Sequence, residues 1–228
     1  MVKRTRRPCW QAQTAKAVAS IAGPGLAGLI LAVSGAGSVV AIDAASYGVS
    51  FFLPTIVKGF GASNFQTGVL AALPFVFGAI GMVTLSRNSD RTLKRREHVA
   101  FAMFLAAFGV AAAGLVSAPA LVLGLLCLSQ IGVSAMPPLF WPIPNTFLSG
   151  ASAAASIAAI NSIGNLSGFV GPYMMGLMKD ATGTFTLGLV SLGVITALGG
   201  VAAMRLRVNS SSETVGSDVP ASVAAYKA

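Results

Sequence analysis

PPLFWPIPNTFLSGASAAASIAAINSIGNLSGFVGPYMMGLMKDATG, residues Pro137–Gly183, is the stretch that decides how this chain folds. It is apolar, yet four prolines fall within eight residues (Pro137, Pro138, Pro142 and Pro144), and Asn161 and Asn165 then stand one helical turn apart. In a water-soluble core this mixture only costs stability, because prolines remove helix hydrogen bonds and buried amides need partners. In a bilayer it has a use. A broken helix frees backbone groups, and polar side chains beside the break line a cavity at membrane depth.

The composition of the whole chain agrees. Hydrophobic residues make up 55% of the 228 and charged residues 9%, far below the quarter or so usual for a soluble domain. The 26 glycines let helices approach closely in lipid. A net charge of +9 would suit nucleic acid, but the charges cluster at the ends of apolar runs, so no nucleic-acid partner is expected. One histidine (His98) and six acids assemble no catalytic triad and no metal site, and with Cys9 far from Cys127 and Cys127 inside an apolar run no disulfide is indicated. His98 follows a basic run and reads as a solvated or interfacial residue. Neither an enzyme nor a bound cofactor is expected.

A span needs about 20 residues. Taken in order, the chain reads as a basic tail over 1–17, a transmembrane domain over 18–206, and a polar, Ser-rich tail over 207–228 expected to be disordered. The helices are expected at 26–57, 66–85, 99–116, 120–147, 153–178 and 185–204. The fold class is therefore all-α, an integral membrane protein of six transmembrane helices. Charge supports the count. Five Lys/Arg lie in the N-terminal tail, five between Arg87 and Arg96, and three at Arg205, Arg207 and Lys227. Six spans put these thirteen on one side and leave only Lys58 and Lys179 opposite. By the positive-inside rule both termini are expected on the cytoplasmic side, and the membrane is expected to be a bacterial inner one.

Two runs also resemble a known family. F-W-x-x-P-x-x-F-L-S-G-x-x-A-A, then I-N-S-I-G-N-L-x-G-F-V-G-P-Y and K-D-A-T-G, is similar to the fourth and fifth helices of the C-terminal half of major facilitator superfamily permeases, in the anion:cation symporter branch. SRNSDRTLKRR, Ser86–Arg96, is similar to that superfamily's cytoplasmic G-x-x-x-D-R-x-x-R-R loop, with Ser86 and Leu93 standing where the family has glycines. The resemblance covers roughly Tyr47 to Met204 and is absent before Tyr47. It implies one six-helix half of a secondary transporter that carries a small organic anion, such as a dicarboxylate or sugar acid, with a proton as coupling ion. It also implies that the carboxylate-binding arginine and the proton-carrying acids belong to the other half. Three alternatives stay open: a half-size subunit needing a complementary half or forming a homodimer, a truncated inert fragment, and more distantly a membrane enzyme.

Each candidate residue has a plain reading beside its functional one. For Asp90, Arg91, Arg95 and Arg96 the plain reading is a solvated loop between the second and third spans. The resemblance implies a charge latch that holds one conformation. Gly164 and Gly168 form a G-x-x-x-G that reads as helix packing, and Asn161 and Asn165 share one face nearby. The amides either pack or hydrogen-bond a substrate carboxylate or hydroxyl. Trp141 is either an interfacial belt residue or, as the resemblance implies, a substrate contact in a kinked helix. Tyr47 and Ser50, one turn apart in the first span, either pack in the core or reach the substrate. Asp43 is the one acid well inside an apolar stretch. It is not taken as the proton site, since it precedes the resemblance.

Overall fold

The computed structural model describes residues 36–145 and 150–205, and every element in them is helical. Six long helices run in order: α1 (Ala36–Lys58), α2 (Asn64–Thr92), α3 (Arg95–Leu115), α4 (Pro119–Phe140), then α6 (Gly150–Thr182) and α7 (Thr186–Arg205), with a four-residue helix α5 (Pro142–Asn145) after α4. Five of them, α1–α4 and α7, are long and apolar enough to cross a membrane, with α1 counted from Ser38. The sixth, α6, has 33 residues. At 1.5 Å per residue it is about 50 Å long, more than a bilayer's hydrocarbon core.

The termini of the helices follow from local chemistry. Ser63 starts α2 with a reciprocal capping box: its hydroxyl accepts from the Gln66 N–H at 3.3 Å, and the Gln66 side chain accepts from the Ser63 N–H at 3.0 Å. Pro119 opens α4 at a position where no N–H is needed. Gly61 and Gly183, with φ of 80° and 72°, turn the chain after α1 and α6 in a conformation that glycine adopts without penalty.

The helices alternate in direction. Residues from the end of α1, the end of α3, the start of α4 and the α6–α7 turn meet around one shallow cavity lined by Thr55, Phe60, Ser117, Thr184 and Phe185 among others. Lys58 and Lys179 therefore lie towards this end of the bundle. The α2–α3 turn with its arginines, the break after α4 and Arg205 lie towards the other end.

Packing is close because small residues sit at the crossings. α1 packs on α6 and α7, α3 on α4 and α7, and α2 mainly on α4. A methyl group at Gly109 would come within 2.6 Å of the Leu125 carbonyl oxygen, so α3 and α4 meet backbone to backbone. Two buried clusters fill the interior. One holds Met103, Met136, Phe140, Ile143 and Ile160. The other holds Leu53, Val110, Leu126, Met175 and Leu192. Two buried hydroxyls reach helix carbonyls, Ser38 donating to Gly199 O at 2.9 Å and Thr196 to Leu192 O at 2.8 Å, whereas those of Thr67, Ser86 and Ser89 have no partner among the described residues.

The expectation that Ser86–Arg96 is a loop needs correction. α2 continues through Thr92, and only Leu93 and Lys94 separate it from α3. Polar residues here lie on the projecting end of a helix. Leu93 stops that helix by entering the left-handed region (φ 55°, ψ 18°) and donating its N–H to Ser89 O at 2.9 Å. The two expected tails and the proposed start of the first span at residue 26 lie outside the described residues.

Candidate functional site

The site begins at the break between α4 and α5. Pro137 and Pro138 lie in the last turn of α4, and Trp141 interrupts the helix before α5, which begins at Pro142 and contains Pro144. Trp141 keeps right-handed helical angles (φ −59°, ψ −29°) although a residue before proline is pushed away from them. Its N–H reaches Pro137 O at 3.0 Å, so the chain continues compactly across the break. The indole is half-buried against the Phe140 ring, edge to face at 5.6 Å. Ile143 beyond the break and Ile160 of α6 join Phe140 in one buried cluster. The break and the Asn161 turn are thereby packed into the same part of the bundle.

α6 meets α1 through its glycines. Gly164 lies beneath Asp43, whose Oδ2 would stand 2.5 Å from a methyl group there. Gly168 lies beneath the Tyr47 ring, 3.2 Å from where a Cβ would be. Gly171 takes the backbone carbonyl of Ala44. The G-x-x-x-G is thus a packing groove for α1. The groove brings Asp43 and Tyr47 beside the helix that carries Asn161 and Asn165. Asp43 is half-buried inside α1. Tyr47 keeps 47% of its surface exposed, and Ser50 is half-buried one turn further on.

Asn161 and Asn165 are both exposed on α6. Among the described residues, neither amide, nor the Trp141 indole, nor the Tyr47 hydroxyl takes part in a hydrogen bond within the chain. Each amide offers two donors and an acceptor, so their whole capacity is open to a ligand or to water. The proposed substrate residues divide accordingly. Tyr47, Asn161 and Asn165 lie along the α1–α6 face. Trp141 stands at the neighbouring break, and Ser50 is half turned into the bundle.

At the C-terminal end of α2 the charged motif is a tight turn. Asp90 pairs with Arg95 at 3.2 Å, joining the last turn of α2 to the first residue of α3. Each of the two charges is unfavourable for its own helix dipole, and pairing compensates both. Arg91 and Arg96 are exposed. His98 does more than the sequence suggests. Its Nδ1–H donates to Lys94 O at 2.9 Å, leaving Nε2 to accept from Asn88 at 3.1 Å, so the ring staples α3 to α2. Asn88 is the polar side chain that signals this in the sequence, since Lys94 contributes only its backbone carbonyl, and the turn geometry brings them together.

Residues 36–225 match the family described as the Major Facilitator Superfamily. The chain belongs to that superfamily. Superfamily members with related sequences include the "Quinolone resistance transporter" of Acinetobacter baumannii, 40% identical over 67% of this chain and 36% of its own length. A protein of Agrobacterium vitis named for tartrate transport is 46% identical over 64% of this chain and 33% of its own length. The inner membrane transport protein RhmT of Escherichia coli is 34% identical over 74% of this chain and 39% of its own. The matched region thus spans between 33% and 39% of these three relatives. The superfamily is one of transporters, not enzymes, and the described helices fit one half of such a fold in a multi-pass membrane protein.

Proposed function

We propose that this chain is one six-helix half of a secondary transporter that carries a small organic anion with a proton, working against a complementary six-helix half. The observation that carries this reading is the pair Asn161 and Asn165, exposed and without an intramolecular partner on a helix long enough to span a bilayer. Hydrocarbon cannot satisfy two amides, so their face suits a water-filled cavity between halves. The relative named for tartrate transport supports a hydroxylated carboxylate as cargo. The amides and the Trp141 N–H would bind its hydroxyls, while its charge needs a cation from the complementary half. The arginine-rich α2–α3 end and Arg205 belong to the cytoplasm, and Lys58 and Lys179 to the outside.

The test is uptake of radiolabelled tartrate and a hexuronate into proteoliposomes holding the chain alone, or the chain with a complementary half, with and without an inward proton gradient. Uptake that rises with the gradient is the expected result. Uptake indifferent to the gradient overturns proton coupling. No uptake in any two-half assembly overturns the transport reading.

A further inference from the structure

α2 is packed along one side only. Pro74, Gly78 and Gly81 are buried there, and Gly78 and Gly81 lie against Gln130 and Ile131 of α4. At 100° per residue, Phe65, Val76, Ile80 and Val83 fall together on the opposite side, and Arg87 and Arg91 continue the same line, all six within an arc of about 80°. All six are exposed. The stripe is thus hydrocarbon along most of its length and cationic at its end.

Its dimensions match a bilayer. From Phe65 to Val83 the rise is about 27 Å, close to the thickness of the acyl region. Arg87 stands one turn beyond that region, at the level of lipid headgroups, and Arg91 one turn further. Helical side chains lean towards the N-terminus, which for α2 means back towards the bilayer, so Arg91 reaches towards Arg87. Two other cations of this turn are neutralised, Lys94 by Glu97 at 3.6 Å and Arg95 by Asp90 at 3.2 Å. Arg87 and Arg91 have no carboxylate partner among the described residues. Guanidinium groups at i and i+4 are neighbours on the helix surface, and their fork of N–H donors matches phosphate oxygens.

We propose that this side of α2 binds an anionic phospholipid, its phosphate held by Arg87 and Arg91 and its acyl chains lying along Val83, Ile80 and Val76. A zwitterionic lipid carries an ammonium group that offsets its phosphate. Two arginines at the membrane surface therefore favour the anionic headgroup on the order of tenfold.

The test is quenching of a single tryptophan by brominated lipid, with the full chain in phosphatidylcholine vesicles. Trp10→Phe and Trp141→Phe remove the two natural tryptophans. One is then returned by Ile80→Trp, in the half of the stripe nearer Arg87, or by Val69→Trp, exposed on the same line in the other half. Both changes keep an exposed apolar side chain and leave the arginines in place. At position 80 brominated phosphatidylglycerol should be favoured over brominated phosphatidylcholine about tenfold, and at position 69 the two should quench about equally. Arg87→Gln with Arg91→Gln should abolish the preference at 80. Lys58→Gln with Lys179→Gln, which removes the same charge at the other end of the bundle, should leave it unchanged. Quenching by brominated phosphatidylcholine shows that each variant is inserted. Equal quenching by the two lipids at position 80, or a preference that survives loss of both arginines, overturns the proposal. Quenching at 69 but by neither lipid at 80 also overturns it, and marks this side of α2 as covered by another protein chain. Each of these outcomes leaves the transport reading standing.

Discussion

The carboxylate of Asp43 lies directly on Gly164, at the crossing of α1 and α6, with Oδ2 2.5 Å from where a Cβ at 164 would sit. One turn along α1, Tyr47 covers Gly168, and between them the Ala44 backbone closes on Gly171. The crossing that carries the candidate site is therefore held by close contacts at three glycines, of which Gly171 meets backbone and Gly164 and Gly168 meet side chains. What each glycine faces decides how much a methyl group there would cost.

Gly171→Ala should be the most damaging, because its methyl would meet a backbone carbonyl that cannot rotate away. Overpacking of this kind costs about 1–3 kcal/mol. Gly164→Ala meets the flexible end of Asp43 and should cost less. Gly176→Ala meets only the Phe52 ring, at an ordinary 3.7 Å, and should be neutral or gain up to about 1 kcal/mol from helix propensity. Thermal unfolding in detergent, followed by a thiol-reactive dye at the buried Cys127 in a Cys9→Ser background, ranks the three. A melting temperature for Gly171→Ala at or above that of Gly176→Ala contradicts the packing described.

Leu93 is the one non-glycine residue with positive φ among the described residues, and it is 59% exposed. The left-handed conformation costs an L-residue about 1–2 kcal/mol, and an exposed leucine gains little in return. Leu93→Gly should raise the melting temperature and leave the Asp90–Arg95 pair in place. A lower melting temperature would show that the Leu93 side chain contributes more than its exposure suggests.

How far these features could be read from sequence depends on what kind of signal each one leaves. Long apolar runs and the four prolines are local signals, and they pointed to the helices and to the interruption at Trp141. The polarity of Ser86–Thr92 reads as loop, but a membrane helix can project into water, and its terminus is set by one backbone conformation at Leu93. Asn161 and Asn165 stood out as polar residues in an apolar run. Their exposure could not be read, because it depends on which helices cover α6. The same holds for Asp43 on Gly164, a contact 121 positions apart in the chain. G-x-x-x-G spacing announces a partner helix without naming it.

Asp90→Asn removes one charge from the 3.2 Å pair with Arg95, in which Asp90 is 64% and Arg95 23% exposed. A pair this open contributes at most about 1 kcal/mol to stability, so insertion and folding should persist. If the pair holds one conformation of a two-half transporter, the substitution should shift the balance between inward- and outward-open states. Cysteines engineered at the cytoplasmic and outer ends of α1 and α6 report that balance through their labelling rates. Unchanged rates in a transport-competent assembly would leave the motif as a topology signal only.

The amides of α6 give the sharpest test of the site. Asn161 lies next to Ile160, which is buried in the cluster with Phe140 and Ile143 at the helix break, so its backbone is firmly placed. Asn165 lies one turn further on, between the Asp43 and Tyr47 contacts at Gly164 and Gly168. Both are exposed, so neither is needed for packing, and truncation of either to alanine should leave the melting temperature nearly unchanged. Binding should respond differently. Asn161 is the closer in sequence to the break that presents Trp141, and losing one desolvated hydrogen bond to a ligand costs about 1–3 kcal/mol, or roughly one to two orders of magnitude in affinity. Asn161→Ala should therefore weaken tartrate binding by that amount in a two-half assembly, with Asn165→Ala affecting it less. Isothermal titration of the two variants against the parent measures both. If Asn165→Ala abolishes binding while Asn161→Ala binds as the parent does, the ligand lies further along α6, over Tyr47, and Trp141 is not part of its site.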